Sequence, residues 1–112
     1  MAFKRQIIYY KDHYLNYYTG LPLKLQEKFD WILKLISANQ YVPGQYFKHI
    51  TGTDGLFEIR VDFGSDAYRV FSFFDEGNLV ILINGFMKKT EKTPKKYIFL
   101  AEKLKKEYFD EK

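Results

Sequence analysis

Cysteine is absent from the 112 residues. That excludes a disulfide framework, a thiolate metal site and a cysteine nucleophile. No run of about 18 apolar residues occurs, so no membrane-spanning helix is expected. The start, Met1-Ala2-Phe3-Lys4-Arg5, breaks quickly into tyrosines and charges and lacks the apolar stretch of a signal peptide. A cytoplasmic protein is the expectation. Histidine is scarce: His13 and His49 stand far apart, and a surface or structural role is expected for each. No glycine-rich phosphate loop ending in Lys-Ser/Thr is present, so nothing supports nucleotide binding. Asp54, Glu58, Asp62 and Asp66 lack the spacing of metal ligands, and a serine nucleophile would lack its triad.

Aromatic residues, by contrast, are abundant. Eleven Phe, ten Tyr and one Trp make up 20% of the chain. The length allows one domain, 1–112, and a chain this short buries only roughly 60–70% of its unfolded surface. Large side chains compensate. The formal charge is +4 and the isoelectric point about 9.1, a mild bias toward polyanions. The bias is concentrated late. Lys88, Lys89, Lys92, Lys95, Lys96, Lys103, Lys105 and Lys106 are opposed only by Glu91 and Glu102. Such a run serves either as a solvated helix face or as an anion-binding surface.

The hydrophobic pattern predicts an α+β fold in the order β-α-α-β-β-β-α. Residues 3–10 have strand composition, and 11–20 suggest a short helix. Pro22 suits a first helical turn, and Leu25, Phe29, Ile32, Leu33 and Ile36 follow helical spacing over 22–37. Residues 45–55 read as irregular. Alternation predicts strands over 56–63 and 67–74, joined by Gly64-Ser65-Asp66. The run 79–86 is almost wholly apolar, as in a strand buried on both faces. Thr93 as N-cap and Pro94 as first residue open the last helix, whose stripe is Ile98, Ala101, Leu104 and Tyr108. The expected architecture is a twisted antiparallel sheet with its helices packed on one face.

Arg60 and Arg69 fall inside the predicted strands. An arginine in a strand needs a partner or a purpose. For Arg69 two readings stand: an ion pair with Glu58 or Asp62, or a phosphate clamp, since the guanidinium fork matches phosphate. Lys88, Lys89 and Lys92 lie between a buried strand and a helix N-terminus, where positive charge, free N–H groups and the helix dipole converge. Phe86 either stacks a base or belongs to the core.

At these residues the sequence resembles the RelE/HigB toxins, and most closely their phage-derived HigB-like branch. The resemblance rests on Gly55-Leu56-Phe57-Glu58-Ile59-Arg60-Val61, on Tyr68-Arg69-Val70-Phe71, and on Gly85-Phe86-Met87-Lys88-Lys89-Thr90-Glu91-Lys92-Thr93-Pro94. It extends over nearly the whole chain, although the first forty residues match only in pattern. It implies the toxin of a type II toxin–antitoxin pair, a ribosome-dependent endoribonuclease that cuts mRNA in the ribosomal A site without metal or organic cofactor. The ribose 2′-hydroxyl is the nucleophile. It also implies three contacts: mRNA, ribosomal RNA, and a cognate antitoxin with a helix-turn-helix DNA-binding domain. Carried onto this sequence, Arg69 grips the scissile phosphate and Arg60 contacts or braces it. Lys88 and Lys92 join them in catalysis. Lys89, Phe86, Lys95, Lys96 and Tyr97 bind RNA. Tyr97 is the nearest counterpart of the acid–base tyrosine that some relatives carry. The alternatives are a ParE-type gyrase poison on the same fold and a non-toxic basic RNA-binding domain.

Overall fold

In a computed structural model the described residues are 3–112. The elements are β1 (Gln6–Tyr9), α1 (His13–Thr19), α2 (Leu23–Ala38), β2 (Phe47–His49), β3 (Phe57–Phe63), β4 (Asp66–Asp75), β5 (Leu79–Lys88) and α3 (Lys95–Glu111). The fold is α+β, as the pattern predicts. One short strand, β2, appears in the stretch read as irregular. No helix among the described residues is long and apolar enough to cross a membrane.

The five strands form one open sheet in the order β1-β5-β4-β3-β2. Neighbours are antiparallel except β1, which runs parallel to β5. The wholly antiparallel sheet of the sequence reading is thus corrected at one edge. The chain passes from β1 through two helices and three strands before it returns beside β1, and this long connection permits a parallel pairing.

Both faces of the sheet are covered. On one, α1 and α2 pack Tyr14, Leu25, Phe29, Ile32 and Ile36 against Ile59, Val61, Val70, Val80 and Leu82. On the other, α3 packs Ala101 and Leu104 against Phe71, Phe73, Ile81, Ile83 and Phe86. The expectation of helices on one face is therefore corrected. The physical reason lies in β5: Val80 and Leu82 point one way and Ile81 and Ile83 the other, so both faces need apolar cover. Burying each large aliphatic or aromatic side chain contributes about 1.5–3 kcal/mol.

Tight turns match their glycines, with φ of +62° at Gly64 and +60° at Gly77. The start of α3 departs from expectation. Pro94 is the N-cap, and the helix begins at Lys95 without a side-chain cap. Thr93 donates instead to Glu58 Oε2 at 3.0 Å. Loop and strand are tied together at that point.

Candidate functional site

β3 and β4 pair so that Arg60 stands directly opposite Arg69, Glu58 opposite Phe71, and Arg69 opposite Phe86 of β5. These side chains share the face that α3 covers in part. β2 adds Lys48 directly across from Glu58. At the other end of the face, β5 delivers Lys88, which pairs with Ala67.

A β-bulge makes that delivery possible. The β4–β5 register shifts between Val70 and Ser72, which pair with Gly85 and Leu82. The extra residue lies in β5, and it resets the inward–outward alternation there. Phe86 consequently shares a core with Ile81 and Ile83. Lys88, two residues on, reaches the same face.

Arg69 is sealed in. It is 4% exposed. Its Nη1 donates to Asp62 Oδ1 at 3.1 Å and to Tyr68 O at 2.9 Å, and its Nε lies 3.4 Å from Glu58 Oε1. Arg60 Nε lies 3.4 Å from the same oxygen, and its Nη1 donates to Gly44 O at 3.2 Å. Glu58, itself 6% exposed, thus sits between two guanidinium groups. Of the two readings of Arg69, the geometry is that of the ion pair, with both carboxylates at once. As a free phosphate clamp Arg69 is corrected.

Phe86 is corrected likewise. It is 4% exposed and lies flat on Tyr97, with centroids 4.4 Å apart and planes at 11°. Phe71 packs on it as well, with centroids 5.4 Å apart. The ring is core. Tyr97 is half-buried by the same stack.

Outside this braced floor a polar cleft of about 290 Å³ opens. Its walls include Lys48, His49, Glu58, Arg60, Lys88 and Thr93. Of the cations predicted to gather, Arg60 and Lys88 do so. Lys89, Lys92, Lys95 and Lys96 are exposed and do not line the cleft. Lys48 was missed by the sequence reading. Its three-residue strand lies inside a stretch without periodicity. His49 pairs with Phe57 and packs edge-on against it, with centroids 5.4 Å apart, so its ring lies on the opposite face of the sheet from Lys48, Glu58 and Arg60, in the structural role expected of it.

Within the cleft and its floor, Glu58 and Asp62 offset Arg60 and Arg69. Lys48 and Lys88 remain as surplus positive charge, against Glu91. An anion entering here meets two ammonium groups and a guanidinium edge. These are groups that can hold a phosphate.

The fold and cleft define a small α+β protein whose open sheet carries a cationic site at one end. The family model for phage-derived Gp49-like proteins (DUF891) matches residues 16–106. The chain belongs to this family, which is associated with RelE-like, toxin-like proteins. Among curated proteins nothing matches the chain.

Proposed function

We propose that the chain is the toxin of a toxin–antitoxin pair and that it cleaves messenger RNA on the ribosome at the cleft between β2, β3 and the end of β5. The observation that carries this is the convergence of Lys48, Arg60 and Lys88 on one concave, anion-sized space. Membership of the Gp49-like family supports the toxin reading.

In the proposed reaction the ribose 2′-oxygen bonds to the adjacent phosphorus and the bond from phosphorus to the 5′-oxygen breaks. The products are a 2′,3′-cyclic phosphate and a 5′-hydroxyl, and no external reactant is consumed. The proton that leaves the 2′-oxygen ends on the 5′-oxygen, relayed by solvent or by a neighbouring ammonium group. Lys88, Lys48 and Arg60 hold the phosphate oxygens as charge builds on them. Glu58 is a positioning residue, holding Arg60 against the strand.

The test is primer extension on a translated message after induced expression. Discrete cleavage sites support the reading, and an intact message with full growth arrest refutes it. Lys48→Ala is expected to slow cleavage by about 10²–10³-fold. Lys88→Ala is expected to slow it by about 10²–10³-fold. Both side chains lie at the surface of the cleft, so the variants should fold. Retained wild-type cleavage in both would remove the cleft from the mechanism.

One observation favours a second reading. Arg69, the arginine that the resemblance assigns to the phosphate, is sealed in an ion pair. A ParE-type gyrase poison needs no such clamp. Gyrase-linked DNA damage with uncut message would support it.

A further inference from the structure

The far edge of the sheet carries a second recess, remote from the cleft in strand order. β1 is the outer strand there, paired only with β5. Tyr10 N–H donates to Leu82 O at 3.0 Å. Strand groups alternate sides, so Ile8 also faces β5, while the N–H and C=O of Ile7 and Tyr9 face outward. Earlier in the same alternation, Arg5 N–H donates to Ser37 O and Ser37 Oγ donates to Arg5 O, each at 2.8 Å. The end of α2 thus fills the place of a strand partner at Arg5. Beyond Arg5 no described residue fills it.

Open edges in proteins are ordinarily blunted by shortness, charge, proline or a bulge. β1 is short, reading Gln6-Ile7-Ile8-Tyr9, but within these four residues it has no charge, proline or bulge, and Ile8 is 37% and Tyr9 49% exposed. Beside it a groove of about 590 Å³ runs between β1 and α2, with Ile7, Tyr9, Tyr14 and Leu33 in its walls. Tyr14 is 6% exposed, and its hydroxyl is buried without a hydrogen-bond partner. A buried hydroxyl left unpaired is costly. Edge, groove and orphan hydroxyl all call for the same thing, a strand from outside.

We propose that β1 and this groove receive an extended, acidic segment of a partner protein, which adds to the sheet as a sixth strand. The occupant's chemistry follows from the rim. Lys4, Arg5 and Lys34 outweigh Asp30 there. A second copy of this chain would bring the same cations to the same edge, and each copy carries a net +4. Main-chain hydrogen bonds would supply the affinity and the groove the selection of side chains. The proposal does not depend on the chemistry of the cationic cleft and stands or falls separately.

The test uses the full chain, isotope-labelled, titrated with an end-blocked heptapeptide of alternating glutamate and valine. The matching lysine–valine peptide is the control. Amide exchange at Ile7 and Tyr9 is expected to slow at least about tenfold on binding. The acidic peptide is expected to bind about tenfold more tightly than the basic one. Tyr14→Phe should weaken binding about three- to tenfold without lowering the thermal midpoint of the free protein, because it removes an unpaired group. Lys34→Glu should weaken binding too. The proposal is overturned by unprotected amides at Ile7 and Tyr9, by equal binding of the two peptides, or by shifts confined to Arg60, Lys88 and their neighbours. It is equally overturned if the free protein sediments as a dimer with those amides already protected, since a second copy then covers the edge.

Discussion

Arg60 and Arg69 face each other across two strands, yet they do different work. Arg69 is enclosed by Glu58, Asp62 and the Tyr68 carbonyl, whereas Arg60 keeps about a quarter of its side chain exposed (26%) beside the cleft. Arg69→Ala would strip a buried carboxylate of one partner, which typically costs about 3–5 kcal/mol. Arg60→Ala should cost less, under about 2 kcal/mol. Urea unfolding of the two variants checks the order, and equal losses would contradict it. Lost toxicity in Arg69→Ala therefore reports on folding first, while Arg60→Ala reports on the cleft. The sequence showed both readings of Arg69 but not the choice between them. That choice depends on strand register, which places Glu58 and Asp62 on the same face, and register is not visible in one arginine. A second buried carboxylate gives a pH signature. Asp75 accepts hydrogen bonds from Tyr108 Oη at 2.6 Å and Lys112 Nζ at 2.9 Å, which hold its pKa below the usual carboxylate value. A lowered folded-state pKa adds stability above the unfolded value of about 4 and loses it as pH falls through the folded value. Asp75→Asn should therefore be less stable than the parent at pH 7, and the gap should narrow as the pH falls below the unfolded value of about 4. Thermal melts across that range would show it, and a gap that stays constant would be the contrary result.

The element that most shapes the site is β5, through its bulge. Without the extra residue, strict alternation would turn Phe86 and Lys88 to the α1–α2 side, and the cleft would lose an ammonium group. The bulge also turns Gly85 toward α1. A Cβ on Gly85 would sit 2.6 Å from the Tyr17 ring, and Tyr17 Oη donates to Phe86 O at 3.0 Å. Gly85→Ala should thus cost about 1–3 kcal/mol by overpacking. Pairing it with Tyr17→Leu, which vacates the ring's space, should make the two losses less than additive in a double-mutant cycle. Strict additivity would mean that the contact is not limiting. The elements themselves were largely legible. Helical spacing marked α2 from Leu25 to Ile36, and alternation marked β3 from Phe57 to Phe63. β2 was not legible, because Phe47, Lys48 and His49 are too few to display a period. The two-sided arrangement was within reach, since the apolar run from Leu79 to Ile83 demands cover on both faces. The bulge left no such trace: Asn84 and Gly85 read equally well as the end of a plain strand.

For the molecule as a whole, the question is where a polyanion would be gripped. The cationic surplus of the chain is divided between the cleft and the outer surface. Lys48, Arg60 and Lys88 line the cleft, while Lys89, Lys92, Lys95, Lys96, Lys103 and Lys106 are exposed on the following loop and α3. The two groups predict different salt laws. Binding a single strand releases counterions with a slope of about −0.7 per neutralised phosphate in a plot of log affinity against log salt. A grip confined to the three cleft cations gives a slope of about −2, whereas recruitment of the six outer lysines as well approaches about −6. The proposed site requires the shallower value even for a strand with phosphates enough to engage the outer lysines. Fluorescence anisotropy with a labelled ten-nucleotide strand, its 2′-hydroxyls replaced by hydrogen to prevent cleavage and its nine phosphodiesters enough for either slope, measures the slope directly. Lys48→Ala should flatten it by about 0.7. Lys96→Ala should leave it unchanged. If Lys96→Ala flattens the slope and Lys48→Ala does not, the strand is held on the outer face of α3, and the cleft is not where RNA binds.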